Sequence, residues 1–185
     1  MVRLVSDKAE YRAEYTALYE AAFPADERRA TAVWIDMDRK EFCRYAVLRN
    51  EQFAGFVTVW NFERFVYVEH FAILPALRGL GIGADVLKQL KEYYKLPLVL
   101  EVEMPEDELA RRRVGFYERC GLTLCERDYL QPPYDARFDW LPMRLMTSDM
   151  TMTDEQFASV CDCLYRAVYG CEDGYSAKMK RSANA

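Results

Sequence analysis

A chain of 185 residues that is 51% hydrophobic, 14% aromatic and 30% charged is too apolar and aromatic for a disordered one, and long enough to bury a sizeable core. A net charge of −5 and a sequence pI near 5.1 provide no long-range attraction to a polyanion, so no nucleic acid partner is expected. No apolar run approaches the roughly 20 residues of a membrane span, and the first residues are charged where a secretory signal is apolar, so the expectation is a cytoplasmic chain with no membrane partner.

In chain order, a short apolar strand over residues 3–5 precedes Ser6-Asp7. Tyr11, Tyr15, Leu18, Tyr19 and Ala22 then follow the spacing of one helical face. Pro24 stops that helix, and Asp26 can cap a second one carrying Val33, Trp34 and Met37. Residues 42–48 and 53–60, rich in β-branched and aromatic side chains, read as a hairpin across Arg49-Asn50-Glu51-Gln52. Residues 65–74 form a nearly continuous apolar run, as in a central strand covered on both faces.

A glycine-rich turn leads into a helix over residues 84–94, followed by a strand over 98–102. Asp107 can cap a helix with Leu109, Val114, Phe116 and Tyr117 that ends at Gly121, where a left-handed residue is needed. Residues 122–130 and 141–146 read as closing strands joined by a loop over 131–139 with Pro132-Pro133. A last helix over 153–169 carries Phe157, Val160, Cys161, Leu164 and Val168 on one face, and the chain from Gly170 reads as a frayed tail. The order β-α-α-β-β-β-α-β-α-β-β-α makes an α/β sandwich around one mixed sheet. The last helix either covers that sheet or meets a second copy in a homodimer.

The six cysteines, at 43, 120, 125, 161, 163 and 171, contain no CxxC pair, and His70 is the only histidine, so metal-ligand spacing is absent and free thiols in a reducing cytosol are expected. The chemistry concentrates elsewhere. Arg78-Gly79-Leu80-Gly81-Ile82-Gly83-Ala84 joins a buried strand to a helix, so successive backbone N–H groups can converge on one anion with no side chain in the way. A P-loop would need Gly-Lys-Ser/Thr where the chain has Gly83-Ala84-Asp85. Gly79-x-Gly81-x-x-Ala84 matches a dinucleotide fingerprint in spacing, with Glu101 about 20 residues beyond, but it follows three antiparallel-looking strands and four intervening residues.

Arg78-x-x-Gly81-x-Gly83, preceded by Phe71-Ala72-Ile73-x-Pro75, resembles the acetyl-CoA-binding motif of the GNAT superfamily. Phe116-Tyr117-Glu118-Arg119-Cys120-Gly121-Leu122 resembles the motif by which these enzymes place a tyrosine near the thioester sulfur. The similarity runs over roughly residues 3–130. Two positions depart from it: Met104-Pro105 stands where an asparagine is common, and Arg113 where an alanine is. The resemblance implies the acyl-CoA N-acyltransferase (GNAT) fold over residues 1–148, a mixed and mostly antiparallel sheet flanked by helices. Residues 149–185 would add a C-terminal helical extension to the same domain.

It further implies acetyl-CoA as co-substrate and direct transfer to a primary amine acceptor, a small molecule or a peptide, through a ternary complex. Cofactor-binding residues would be Phe71, Ala72 and Ile73 on the strand, pairing with pantetheine, and Arg78, Gly79, Leu80, Gly81, Ile82, Gly83 and Ala84 in the turn. Tyr117 is the general-acid candidate, since a phenol can protonate a thiolate at neutral pH. Glu69, a carboxylate in an apolar strand, must have a partner or face a wet cleft, and is the candidate base or acceptor-binding group. Strict alternation puts His70 on the opposite face, and Glu101 and Glu103 stand in reserve. A non-catalytic acyl-CoA-binding regulator and a dinucleotide-binding module remain as alternatives.

Overall fold

Strand β1 (Val2–Ser6) opens the chain, and residues 1–6, 9–148 and 152–175 are described by a computed structural model. Asp7 and the last part of the expected tail, 176–185, lie outside the described residues. A 3-10 turn (Ala9–Tyr11) runs into α1 (Arg12–Ala22), whose Tyr15, Leu18 and Tyr19 are buried at the expected helical spacing. α2 is only Thr31–Ile35, and Asp26 does not cap it: the N-cap is Ala30 and no side chain bonds there. The intervening residues are held by other bonds. The Glu27 amide bonds the Pro24 carbonyl at 3.1 Å, and the Arg28 Nε donates to the Phe23 carbonyl at 3.1 Å.

β2 (Phe42–Arg49) and β3 (Gln52–Asn61) form the hairpin, with only Asn50 and Glu51 between them. Both have positive φ, 51° and 64°, the pairing of a type I′ turn, whose twist matches that of the strands. β4 (Val66–Ile73), α3 (Ile82–Tyr94), β5 (Leu98–Glu103) and α4 (Glu108–Arg119) follow. The Asp107 carboxylate accepts from the Ala110 amide at 2.8 Å, and Gly121 has φ 77°, so both expected ends of α4 hold.

The single strand expected over 122–130 is two, β6 (Thr123–Leu124) and β7 (Tyr129–Gln131), both paired with β8 (Leu141–Thr147). Leu124 faces Met146 and Tyr129 faces Met143, so five steps on one side match three on the other and two surplus residues must leave the ladder. The final helix also divides, into α5 (Asp154–Cys163), capped reciprocally by Thr153 and Gln156, and a π-helical turn (Leu164–Val168). The expected face is buried, but the tail does not fray at Gly170: Tyr175 packs its ring edge-on against Phe157 and Tyr165.

The sheet runs β1-β2-β3-β4-β5-β8-β6, with β7 also on β8, and only β4 and β5 are parallel. α3 and α4 cover one face through Val86, Leu87, Leu90 and Val114. On the other face, α1 and α2 pack Tyr19 and Trp34, stacked at 3.9 Å, over β2 to β4. Phe157 and Cys161 of α5 and Leu164 of the π-helical turn cover β5 and β8 on that face, so the C-terminal helix covers the sheet.

Gly55 in β3 shows how tight the central strands are: a Cβ there would lie 2.2 Å from the Ala72 carbonyl oxygen. A Cβ on Gly115 in α4 would meet only the flexible end of Arg119, at 3.4 Å. Gly55→Ala should therefore destabilise by about 2–3 kcal/mol or more through overpacking. Gly115→Ala should stabilise by up to about 1 kcal/mol through helix propensity. Urea unfolding of both variants checks the opposite signs.

Candidate functional site

β4 and β5 pair only from Val66 to Val68 against Leu98 to Leu100, and then part. The cause is one extra residue: Thr58 faces His70 and Val59 faces Val68, which leaves Glu69 without a partner in β3, a β-bulge. Burial records the same event. β4 is buried through Val68 and then alternates, with Glu69, Phe71 and Ile73 half-buried, while in β5 Glu101 and Glu103 do the same. The Glu69 side chain is 0% exposed, so what reaches solvent there is its backbone. The Leu74 amide bonds Ala54, so alternation turns the main-chain groups of Phe71 and Ile73 away from β3 and toward the opening.

The glycine turn sits at the end of β4. Pro75–Leu77 form a 3-10 turn, and the Arg78 Nε donates to the Ile73 carbonyl at 3.1 Å, folding the arginine back over the strand end. Gly79 and Gly81 both have φ 77°, and a Cβ on either would meet nothing within 4 Å, so their glycine character serves backbone shape and leaves open space in front. Asp85 is the first residue of α3 to bond back, to Gly81 at 3.1 Å. The amides of Gly81, Ile82, Gly83 and Ala84 thus have no partner within the helix, and no side chain caps it. With the macrodipole of a 13-residue helix behind them, they suit an anion such as a pyrophosphate. Leu80 is exposed, the Ile82 side chain is buried, and Gly83 lies under Phe116 and Phe71, which closes α3 against α4.

Tyr117, from α4, lies near Glu103 and Arg113, which form an ion pair. Burial pushes its phenol up to about 12, only partly countered by Arg113. No group among the described residues hydrogen-bonds its hydroxyl.

The bulge also overturns the expected separation of Glu69 from His70. The Glu69 Oε2 lies 3.6 Å from the His70 Nδ1, because an extra residue breaks the alternation that would set them on opposite faces. The Glu69 Oε1 accepts from Arg29 Nη2 at 3.0 Å and from the Tyr134 hydroxyl at 3.2 Å. Burial alone would raise this carboxyl, but the Arg29 guanidinium, with His70 and Trp60 beside it, holds it down at about 2. The same Arg29 Nη2 donates to the Val168 carbonyl at the end of the C-terminal helix, and the guanidinium lies 4.5 Å over the Tyr134 ring.

Glu101 solves the same problem without a cation. Its carboxylate accepts from the hydroxyls of Tyr67 at 2.8 Å and Tyr169 at 2.7 Å, and from Tyr129 and the Gln131 amide; burial nevertheless raises it. Neither Arg29 nor Tyr169 stands out in the sequence by itself. A buried Glu69 demands a cation, but nothing in the sequence says which of 25 lysines and arginines supplies it.

Residues 8–122 match the model of the acetyltransferase (GNAT) family. Among solved structures, one from Bacteroides thetaiotaomicron, described as an acetyltransferase from the GNAT family, is 36% identical over 92% of this chain and 98% of its own, with a TM-score of 0.83. Arabidopsis thaliana Naa50 in complex with the bisubstrate analogue CoA-Ac-MVNAL is 15% identical over 80% and 99%, at 0.62. The ribosomal-protein-S18-alanine N-acetyltransferase of Escherichia coli is 18% identical over 84% and 97%, at 0.58. Among curated proteins none matches the sequence. The extent of the family match and the 36% identity over nearly the whole chain lead to one conclusion: this protein belongs to the GNAT acetyltransferase family.

Proposed function

We propose that the protein transfers the acetyl group of acetyl-CoA directly to a primary amine held in the opening between β4 and β5. The observation that carries this reading is the alignment of that opening with the uncapped start of α3. The amides of Gly81 to Ala84 would take the pyrophosphate, with Arg78 and Gly79 at its edge, and the outward main-chain groups of Phe71 and Ile73 would pair with pantetheine as a further strand. A main-chain N–H of that segment then polarises the thioester carbonyl. That the named relative Naa50 is seen with a CoA bisubstrate analogue is consistent with this donor.

Tyr117 is assigned to the departing sulfur. With its phenol at about 12 and an ordinary thiol near 8.5, complete proton transfer to the thiolate is uphill on the order of a thousandfold. The numbers therefore favour a hydrogen bond that stabilises the developing thiolate, with the proton itself coming from the attacking nitrogen through solvent. Glu69, held near 2 by its cation, is a poor base and is assigned to acceptor binding. Cys120, the thiol beside Tyr117, is raised by burial, which disfavours a covalent acyl-enzyme and supports direct attack. Six cysteines outside any disulfide suit a reducing cytoplasm.

Two measurements test the reading. Gly81→Glu puts a side chain and a negative charge into the cradle, so acetyl-CoA affinity by calorimetry should fall by at least about a hundredfold. An unchanged affinity would place the cofactor elsewhere, and NAD binding without CoA binding would favour a dinucleotide site. Tyr117→Phe should lower turnover by about a hundredfold, the lower edge of what one such donor is worth, with acetyl-CoA affinity nearly intact. Unchanged turnover on an amine found by screening would remove Tyr117 from the mechanism.

A further inference from the structure

An amine that arrives as an ammonium must give up two protons to become an amide, one before attack to free its lone pair and one after it. The second has a route through solvent to the departing sulfur. The first needs a group that solvent can reach and that no cation or donor already occupies. Glu69 and Glu101 are buried among their donors, Glu103 is engaged with Arg113, and His70 is buried. Glu27, between α1 and α2, differs from all four. It is half-buried, and no hydrogen bond or ion pair reaches its carboxylate among the described residues.

Its main chain is fixed on β4. The Glu27 amide donates to the Pro24 carbonyl at 3.1 Å, and the Glu27 carbonyl accepts from the His70 Nε2 at 3.3 Å. The charges that act on its carboxylate come from Glu103 at the end of β5, Asp26 beside it in the chain, Arg113 of α4, and His70. Pairing between β4 and β5 ends at Val68 and Leu100, so a residue bonded to one strand at His70 and within electrostatic reach of the other at Glu103 lies across the opening. Tyr117 is within reach of the same Glu103 and Arg113, so the phenol assigned to the sulfur and the Glu27 carboxylate flank one ion pair. Burial raises the Glu27 carboxyl, and the like charges of Glu103 and Asp26 raise it further, offset in part by Arg113 and His70. A carboxylate so placed is a better proton acceptor than an ordinary one.

We propose that Glu27 is the general base on the acceptor side, taking one proton from the incoming ammonium, directly or through one water, to leave a neutral amine facing the thioester. The N–H bond breaks with its electron pair staying on nitrogen, and the proton ends on a Glu27 oxygen. Attack forms the C–N bond, collapse breaks the C–S bond with its pair going to sulfur, and the second nitrogen proton passes to the thiolate. Glu27 then returns its own proton to solvent. This assignment rests on the acetyltransferase reading above.

One measurement needs no acceptor. Carbon-13 spectra of the full chain with labelled glutamate carboxyls, followed against pH, identify Glu27 as the signal that Glu27→Gln lacks. It should titrate above the ordinary glutamate value of about 4.3 and move back toward it in Glu103→Gln, where a like charge is gone. A Glu27 signal that titrates at or below the ordinary value overturns the assignment.

Thiol release from acetyl-CoA then reads the chemistry with two acceptors of like size: ethylamine, which is charged at neutral pH, and 2,2,2-trifluoroethylamine, whose fluorines keep it neutral there. Glu27→Gln should lower kcat/KM for ethylamine at pH 7 by about a hundredfold, the lower edge for a general base, and change it little for the fluorinated amine. The loss should shrink as rising pH supplies free amine. Wild-type turnover of ethylamine requires Glu27 ionised, so it should fall as pH drops through that carboxyl, and Glu103→Gln should shift this limb to lower pH. Equal losses on both amines would reduce Glu27 to a structural part and overturn the base. If Glu27→Gln fails to fold by circular dichroism, the limb in Glu103→Gln decides, and an unmoved limb sinks the assignment. Calorimetry separates the two readings: intact acetyl-CoA binding with Glu27→Gln as active as wild type sinks the base alone, whereas wild-type protein that does not bind acetyl-CoA sinks the acetyltransferase reading and the base with it.

Discussion

One extra residue in β4 organises this molecule. By inserting Glu69 against β3, the chain loses parallel pairing with β5 beyond Val68, and a sheet that would otherwise be continuous opens at its centre. The opening frees the main-chain groups of Phe71 and the Ile73 amide, the Ile73 carbonyl being taken by Arg78, which is useful only if a ligand or water can take them, since leaving such groups buried and unmet is expensive. Antiparallel neighbours on both sides, β3 with β4 and β5 with β8, hold the two strands so that the gap has a fixed shape.

The bulge also sets the charge problem that the surrounding elements answer. A buried carboxylate whose partner is removed costs about 3–5 kcal/mol, so Glu69 requires its cation. Arg29 reaches it from the segment between α1 and α2, and the same Nη2 bonds the Val168 carbonyl 139 residues on, so one guanidinium ties together the sheet, the helix pair and the C-terminal helix. A cation at the carbonyl end of a helix is favourable in itself. Across the gap Glu101 is met by neutral donors from Tyr67, Tyr129, Gln131 and Tyr169, two of them on β7 and one just past the π-helical turn. The Tyr169 ring lies tilted against Tyr134 at 4.9 Å, which links the two carboxylates through the loop between β7 and β8.

What the sequence disclosed and what it hid divide along the range of the interactions. The turn from Arg78 to Ala84 was legible because glycine at positive φ and free amides at a helix start are local properties of seven residues. The Asp107 and Gly121 ends of α4 rest on similarly short spacings. Glu69 was visible as an anomaly, but its partner lies 40 residues away in a segment with no pattern. Strict alternation failed at Glu69, and a single strand over 122–130 failed at two surplus residues, for one reason. A bulge changes the count between partners, and neither partner's own sequence contains that count.

The three longest helices after the hairpin differ at their first turns in a way that bears on function. α4 begins on the Asp107 carboxylate and α5 on the reciprocal Thr153 and Gln156 bonds, each contributing about 1 kcal/mol of local stability. α3 begins on Gly81 with no side-chain cap, although serine or aspartate at that position would be the stabilising choice. A capping oxygen there would occupy the amides of Gly83 or Ala84, and any side chain would have to adopt φ 77°. The same chain that caps two helices leaves the third open where it meets the parted strands. Stability given up at that one terminus is what an anion binding there would restore, which ties the uncapped turn and the bulge to a single ligand.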